Sequence, residues 1–460
     1  MSTTTRRNPP TIGPDTTFTM PGVSRARLAN GLQVRSIERR RLPMVSVLLL
    51  LPAGSSIDPA GQAGLASLTA DMLDEGAAGL SAIELQEAFG RLGTSLETDA
   101  GADAVWLSLS VMPSHLPAAC DLLFECAGRP ALDASDFDRV RTLRLNRLRQ
   151  LRNSPGALAD HAFQHAIFGT HPYGYPSYGV SRAIETLAVE DVRQLHGRVW
   201  SPSQATLIVV GAINSAEACH TAERASAWWA AVSTDGDRPA GVRVAATPAR
   251  PSSPQILLVD RPGSAQTELR IGHVGPSRHT PDYHALVLLN AVLGGQFVSR
   301  LNMNLRERMA CTYGAHSSFE LRRAGGAFVL QTSVQTEATA AAVRESVGEI
   351  RSIGSDRPPT ADEIAFCAAS LTRGYARGYE TTGQLARALA QLAAYDLPDD
   401  EFDRFVPGIR ALDAHDLVTA AAAHLEPPAL CVVCVGDRQR IEPGLAALDL
   451  GVPIITEVEI

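Results

Sequence analysis

The chain has 460 residues, 45% hydrophobic and 20% charged, with a formal net charge of −8 and a pI near 5.9. That length exceeds one ordinary hydrophobic core and predicts two domains of about 200 residues each. The acidic balance argues against a nucleic-acid partner. All 41 basic residues are arginine, which excludes a Schiff-base lysine and the lysine of a phosphate-binding loop.

Residues 1–22 carry two arginines with several Thr and Pro but no apolar run. They read as an N-terminal tail without a signal peptide, so a cytoplasmic location is expected. Met44 to Leu51 reads as a buried strand bounded by Pro43 and Pro52. The longest apolar run, Met44 to Ala53, is too short to cross a bilayer, and no membrane partner is expected. The strand leads through Ala53 to Pro59 into an apolar helix, Gly64 to Leu73. Helical patterns follow at 82–91, 114–128 and 134–153, and residues 94–99 and 103–112 alternate as a hairpin. A strand closed by glycine, Ala205 to Gly211, comes near the end of the first predicted domain, residues 23–232.

Residues 233–254 contain Gly236, Pro239, Gly241, Pro248, Pro251 and Pro254, the composition of a linker. The second predicted domain, residues 255–445, repeats the plan. Strand Gln266 to Val274 leads through Gly275 to Pro281 into helix Asp282 to Leu293, a long helix fills 361–379, and Leu430 to Gly436 closes as a strand. Residues 446–460 read as a C-terminal tail. Such a repeat predicts a duplicated α+β domain, each copy an antiparallel-rich sheet with helices on one face and an edge open to an extended peptide.

The seven cysteines are odd in number and lack framework spacing. Cys431 and Cys434 are separated by two residues within the last predicted strand. Strand residues three apart point to opposite faces, so these two cannot share an ion and read as buried small hydrophobes. His161 and His165 have i,i+4 helical spacing, and His171 follows. No carboxylate lies between the pair to act as a base, so a metal is not expected there.

Phe297, Leu301 and Leu305 recur every four residues and predict the buried stripe of a helix, entered by a tight turn at Gly294-Gly295. Arg306 sits beside that stripe and Tyr313 just past the predicted helix end. On spacing alone, Arg306 reads as a surface residue and Tyr313 as a half-buried core aromatic.

The whole stretch Leu293-Gly-Gly-Gln-Phe-Val-Ser-Arg-Leu-Asn-Met-Asn-Leu-Arg-Glu-Arg-Met-Ala-Cys-Thr-Tyr-Gly314 resembles the second-domain signature of the pitrilysin and mitochondrial processing peptidase family. Leu28-Ala-Asn-Gly-Leu32, His171-Pro-Tyr-Gly174, Trp200-Ser-Pro-Ser203, Val210-Gly211 and Val435-Gly-Asp437 extend the likeness over most of the chain. The resemblance implies two homologous α+β domains per subunit and subunits paired as a clamshell around a chamber. It implies that an Arg and a Tyr, here Arg306 and Tyr313, hold the peptide and stabilise its transition state.

Active members carry an inverted zinc motif, His-x-x-Glu-His, where this chain has Ser67, Leu68, Thr69, Ala70 and Asp71. Zinc hydrolysis needs three protein ligands, an open position and a base. The metal and acid/base positions are therefore lost at Ser67, Ala70 and Asp71. The next long helix, which supplies a Glu ligand in the family, reads from Arg139 to Arg152 without an acid. Its arginines at 139, 141, 144, 147, 149 and 152 read either as a solvated face or as a patch for an acidic peptide or partner. The resemblance implies a non-catalytic subunit, inactive alone and holding no cofactor. A homologous zinc-bearing subunit would be its partner and an extended peptide its substrate. The alternative it leaves open is a structural or peptide-binding subunit with no part in proteolysis.

Overall fold

The computed structural model describes residues 18–229, 254–425 and 427–460, so the predicted linker lies almost wholly outside the described residues. Strands β1 (Ser24–Arg27), β2 (Gln33–Glu38) and β3 (Val45–Leu51) open the first half. A short hairpin, β4 (Gly76–Ala77) and β5 (Leu80–Ser81), precedes β6 (Glu97–Ala100), β7 (Val105–Val111) and β8 (Thr206–Gly211). The second half contains β9 (Gln255–Asp260), β10 (Gln266–Gly275), β11 (Thr312–Glu320), β12 (Gly326–Gln335), β13 (Cys431–Gly436) and β14 (Ile454–Ile455).

Two six-stranded sheets form, in the orders β1-β2-β8-β3-β7-β6 and β14-β9-β13-β10-β12-β11. In each, the half's last long strand inserts between two earlier ones, β8 between β2 and β3 and β13 between β9 and β10, parallel to the first and antiparallel to the second. The repeat read from strand and glycine order is therefore a repeat of topology.

Helices α1 (Leu65–Asp71), α2 (Ala82–Arg91), α3 (Leu116–Gly128), α4 (Ala134–Leu151) and α5 (Pro155–Phe168) follow in the first half. Ser81 caps α2 in a capping box with Glu84, which satisfies two otherwise unpaired backbone N–H groups. The seven residues of β3 are all buried, because both faces of its sheet are covered. Val45, Val47, Leu49 and Leu51 face the half's own helices. Leu48 and Leu50 instead meet Leu385, Leu389 and Leu392 of helix Thr382–Ala394, which belongs to the second half.

The second half receives a helix in return. α5 lies on the second sheet, where Phe163 and Ile167 join Val274, Val329 and Val433. Gly272 in β10 makes this approach possible, since a Cβ there would fall 2.9 Å from the Phe163 ring and 1.9 Å from the Phe328 carbonyl oxygen. Helices of each half thus cover one face of its own sheet, and one helix from the other half covers the opposite face. Tyr173 of the His-Pro-Tyr-Gly stretch adds a polar tie, donating to Asp103 at 2.5 Å and accepting from the Ala324 N–H at 3.2 Å.

Cys431 and Cys434 do face opposite sides of β13, in different cores, and burial pushes the Cys431 thiol up to about 12. Residues 18–20, assigned to a tail, are packed: Phe18 meets Tyr375 edge-on and Tyr379 at a tilt, and the Met20 N–H donates to Asp403. Of the residues read as a C-terminal tail, Ile454–Ile455 pair with β9 and Ile460 is buried in the first core. The segment Tyr283–Arg308 matches a membrane span in length and apolarity. Its Leu286, Leu289, Leu293, Leu301 and Leu305 nonetheless form the second core.

Candidate functional site

The region from Leu293 to Gly314 is not one helix. Helix Tyr283–Asn290 widens into a π turn at Ala291–Gly295, breaks, restarts at Arg300–Asn302 and widens again at Met303–Arg308. Gly294 is required at the break, since a Cβ there would lie 2.3 Å from the Ser317 hydroxyl on β11. Leu301 and Leu305 are fully buried as the periodicity predicts, but Phe297 is not. It sits in the break and is 72% exposed. The interruption changes the phase of the turn, so the four-residue spacing no longer keeps Phe297 on the buried side.

The exposed ring has a use. The Arg306 guanidinium carbon lies 3.5 Å from the Phe297 ring centroid. Arg306 Nε and Nη2 both donate to Glu307, at 2.9 and 2.6 Å. Stacked on one side and donating twice to one Glu307 oxygen on another, the guanidinium is held in one orientation.

Tyr313 is on β11, the free edge of the second sheet. Thr312 pairs with Val334 and Ala315 with Thr332, so one extra residue is accommodated between them. Such a bulge re-aims side chains. Here it is pinned: Thr312 Oγ1 accepts from the Gly314 N–H at 3.1 Å, and Thr332 Oγ1 donates to the Gly314 carbonyl at 2.9 Å. Asn302 clamps the strand from the other side, accepting from Ala315 N–H at 2.9 Å and donating to its carbonyl at 2.8 Å. Ala310, between the two site residues, has φ of 50°, a left-handed conformation costly for a residue with a Cβ. Tyr313 itself is 92% exposed, so it is no core aromatic.

Arg306 and Tyr313 line one cavity of about 470 Å³ with Gly295, Phe297, Asn302 and His316. Spacing assigns Phe297 to the buried stripe and gives Asn302 and Arg300 no part in the site. Arg300 is buried and makes a two-pronged ion pair to Glu363 at 2.7 and 2.8 Å, which holds that carboxyl down to about 2. It thereby fastens the site-bearing segment to helix Ala361–Arg373. The only sequence signal for it was the Ser-Arg-Leu of the resemblance.

The substituted metal positions lie elsewhere, on α1. Ser67 and Ala70 are buried, and Asp71 is 45% exposed. Arg144 of α4, only 7% exposed, donates to Asp71 at 2.5 Å and to the Tyr178 carbonyl at 2.8 Å. Asp58 accepts from the N–H groups of Gly64 and Ala66, both at 2.7 Å, at the start of α1. Its burial outweighs these donors and pushes the carboxyl up to about 7. A guanidinium already holds the carboxylate where a cation would have to bind, so these residues do not fit zinc.

Three of the arginines of α4 already have partners within the chain. Arg144 is buried, whereas Arg139 pairs with Glu75 and Asp136, and Arg141 with Asp138 and the Leu187 carbonyl. His161 is buried and hydrogen-bonds the Tyr178 hydroxyl at 2.9 Å and the Glu459 backbone, so its ring is engaged on both sides. Among the described residues, no group of three or more His, Cys, Asp and Glu could hold a metal ion.

A duplicated sheet-and-helix fold with an arginine and a tyrosine at one free edge, and an ion pair in place of a metal, describes a metallopeptidase fold without its metal. Residues 34–179 match the family described as "Insulinase (Peptidase family M16)" and residues 186–371 match "Peptidase M16 inactive domain". The chain belongs to peptidase family M16, as a non-catalytic member. A relative named "Uncharacterized zinc protease Rv2782c" from Mycobacterium tuberculosis is 26% identical over 357 residues, 77% of this chain and 80% of the relative. A Helicobacter pylori protein named "Non-peptidase homolog YmxG" is 24% identical over 174 residues, 38% of this chain and 40% of that protein. Among solved structures, a peptidase M16 inactive domain from Pseudomonas fluorescens superposes with a TM-score of 0.83 at 26% identity, covering 90% of this chain and 98% of the other. A Helicobacter pylori protease superposes equally well, with a TM-score of 0.83, over 91% of this chain and 100% of the other; at 19% identity this speaks to the fold alone.

Proposed function

We propose that this chain is the substrate-anchoring subunit of a heterodimeric zinc endopeptidase, supplying Arg306 and Tyr313 in trans to a homologous zinc-bearing partner. The observation that carries the reading is the setting of Tyr313. A phenol 92% exposed on a bulge pinned by three neighbouring side chains contributes little to the core, yet its backbone is fixed. That combination suits a group waiting for a ligand.

On this reading an extended peptide lies along the cavity beside β11. Arg306 donates to one of its backbone carbonyls, and the Tyr313 hydroxyl donates to the oxygen of the scissile carbonyl as charge develops there. A donor so placed contributes roughly 10²–10³-fold in rate. The partner holds the metal, and the first half of this chain serves as its folded counterpart.

The test is cleavage of a quenched fluorescent peptide by a zinc-bearing homologue titrated with this chain. Activity that rises and saturates near one-to-one supports the reading. A flat titration despite a stable complex would leave a structural or peptide-binding role and remove Arg306 and Tyr313 from catalysis.

A further inference from the structure

The segment after β14 crosses from one half to the other. The Thr456 N–H still donates to the Leu258 carbonyl at 3.0 Å, continuing the edge of the second sheet. Beyond it the chain leaves the sheet and lies on the first half. Thr456 and Val458 are half-buried, Glu457 and Glu459 exposed, and Ile460 fully buried in the first core, the in-and-out pattern of an extended strand.

Its backbone is read by side chains of three elements. The Ile460 main-chain oxygen accepts from Ser181 Oγ at 2.6 Å and from Arg152 Nε and Nη2 at 3.3 and 3.1 Å. His161 on α5 hydrogen-bonds the Glu459 backbone, and its Nε2 meets the Tyr178 hydroxyl at 2.9 Å. The Tyr178 carbonyl in turn accepts from Arg144. Ser181 and His161 are both buried polar residues whose partner here is a passing main chain. The segment reads Thr-Glu-Val-Glu-Ile; Glu457 and Glu459 are exposed, and Arg152, at the end of α4, meets the segment at the Ile460 main-chain oxygen.

We propose that the groove formed by the end of α4, by α5 and by the start of helix Ser181–Thr186 recognises an extended segment bearing a branched aliphatic residue, and that residues 456–460 occupy it as an exchangeable strap. Recognition rests on backbone groups and one apolar socket, so a free chain of the same chemistry can compete. The strap is held by one fully buried side chain, a half-buried Val458 and a few hydrogen bonds, against the entropy of ordering its residues. That balance is close enough for exchange.

The test uses a fluorescein-labelled peptide of sequence Thr-Glu-Val-Glu-Ile and fluorescence anisotropy. A chain lacking residues 456–460 should bind it saturably, one-to-one, and at least tenfold more tightly than the full chain, whose groove is filled. Combining Ser181→Ala with Arg152→Ala in the shortened chain should weaken binding at least tenfold. A full-length Ile460→Asp variant, which releases the strap without removing it, should bind the peptide and show faster amide exchange at residues 456–460. Folded variants that fail to bind, or a full chain that binds as tightly as the shortened one, would overturn the proposal. So would loss of folding in both variants, because the strap would then be an integral part of the core.

Discussion

The two halves share a strand order and differ in what stands at their candidate sites. In the first, Asp71 is closed off by Arg144, the remaining reach of Arg144 holds the Tyr178 carbonyl, and Asp58 spends its acceptors on the start of α1. In the second, Arg306 lies over an exposed ring and Tyr313 stands in solvent on a pinned bulge. Charges answered from within belong to folding. A donor fixed in place and left facing solvent, as Tyr313 is, belongs to recognition on the proposed reading, while Arg306, mostly buried and paired with Glu307, stands between the two cases.

The sharpest way to break this comparison is Tyr313→Phe, assayed in the complex with a zinc-bearing partner. The expected result is a fall in kcat of roughly 100-fold with KM little changed, and a stability within about 0.5 kcal/mol of wild type, as for other exposed sites. An unchanged kcat would leave the second half no more chemical than the first.

In the first half the expectation is reversed. Arg144→Met should cost about 2 kcal/mol in urea denaturation, since it removes a buried ion-pair partner and leaves a carbonyl unpaired. Asp71→Asn should cost less than about 1 kcal/mol, because that carboxylate is half in water and its role is largely a surface one. Neither should alter the rate of the complex beyond the loss of folded chain. Equal costs at the two positions would mean that the pair acts as a unit rather than as a buried arginine with an accessory acid.

Acidity offers a further discrimination inside the first half. Burial lowers His161 to about 4 from 6.5, so the unfolded chain binds the extra proton and stability falls as pH drops from about 6.5 toward 4. Asp58, raised from 3.8 to about 7, works the other way: its contribution is present at low pH and is lost as pH rises from about 4 through 7. Relative to wild type, the urea midpoint of His161→Gln should therefore shift toward decline with rising pH across this window, and that of Asp58→Asn toward a climb. Parallel profiles for the two variants would refute both assignments.

Much of this arrangement could be read in advance where the determinant is local. The apolar run of β3, the alternation of β10, the facing of Cys431 away from Cys434 and the loss at Ser67, Ala70 and Asp71 all lie in short windows of sequence. What stayed hidden depends on distant pairings. Arg144 meets Asp71 across 73 residues, and Ile460 meets Ser181 across 279. No periodicity records either, and the exchange of α5 for helix Thr382–Ala394 between sheets is equally non-local. Phe297 failed for another reason. Its spacing is that of a buried stripe, but the π turns and the break at Gly294-Gly295 change the phase, and only backbone geometry shows that.

Phe297 also supports the smallest effect worth measuring. Its ring lies under Arg306 while being 72% exposed, so Phe297→Ala should leave stability nearly untouched. A cation–π contact at an exposed site is worth about 0.5–1 kcal/mol. Its loss frees the guanidinium to sample other rotamers, and the peptide must then order it on binding. That cost falls equally on ground state and transition state, so KM should rise roughly two- to fivefold with kcat unchanged, and Phe297→Tyr should restore the wild-type value. If instead kcat falls as far as it does for Tyr313→Phe, Arg306 senses the developing charge directly. The division of labour between an anchoring arginine and a stabilising tyrosine would then have to be reversed.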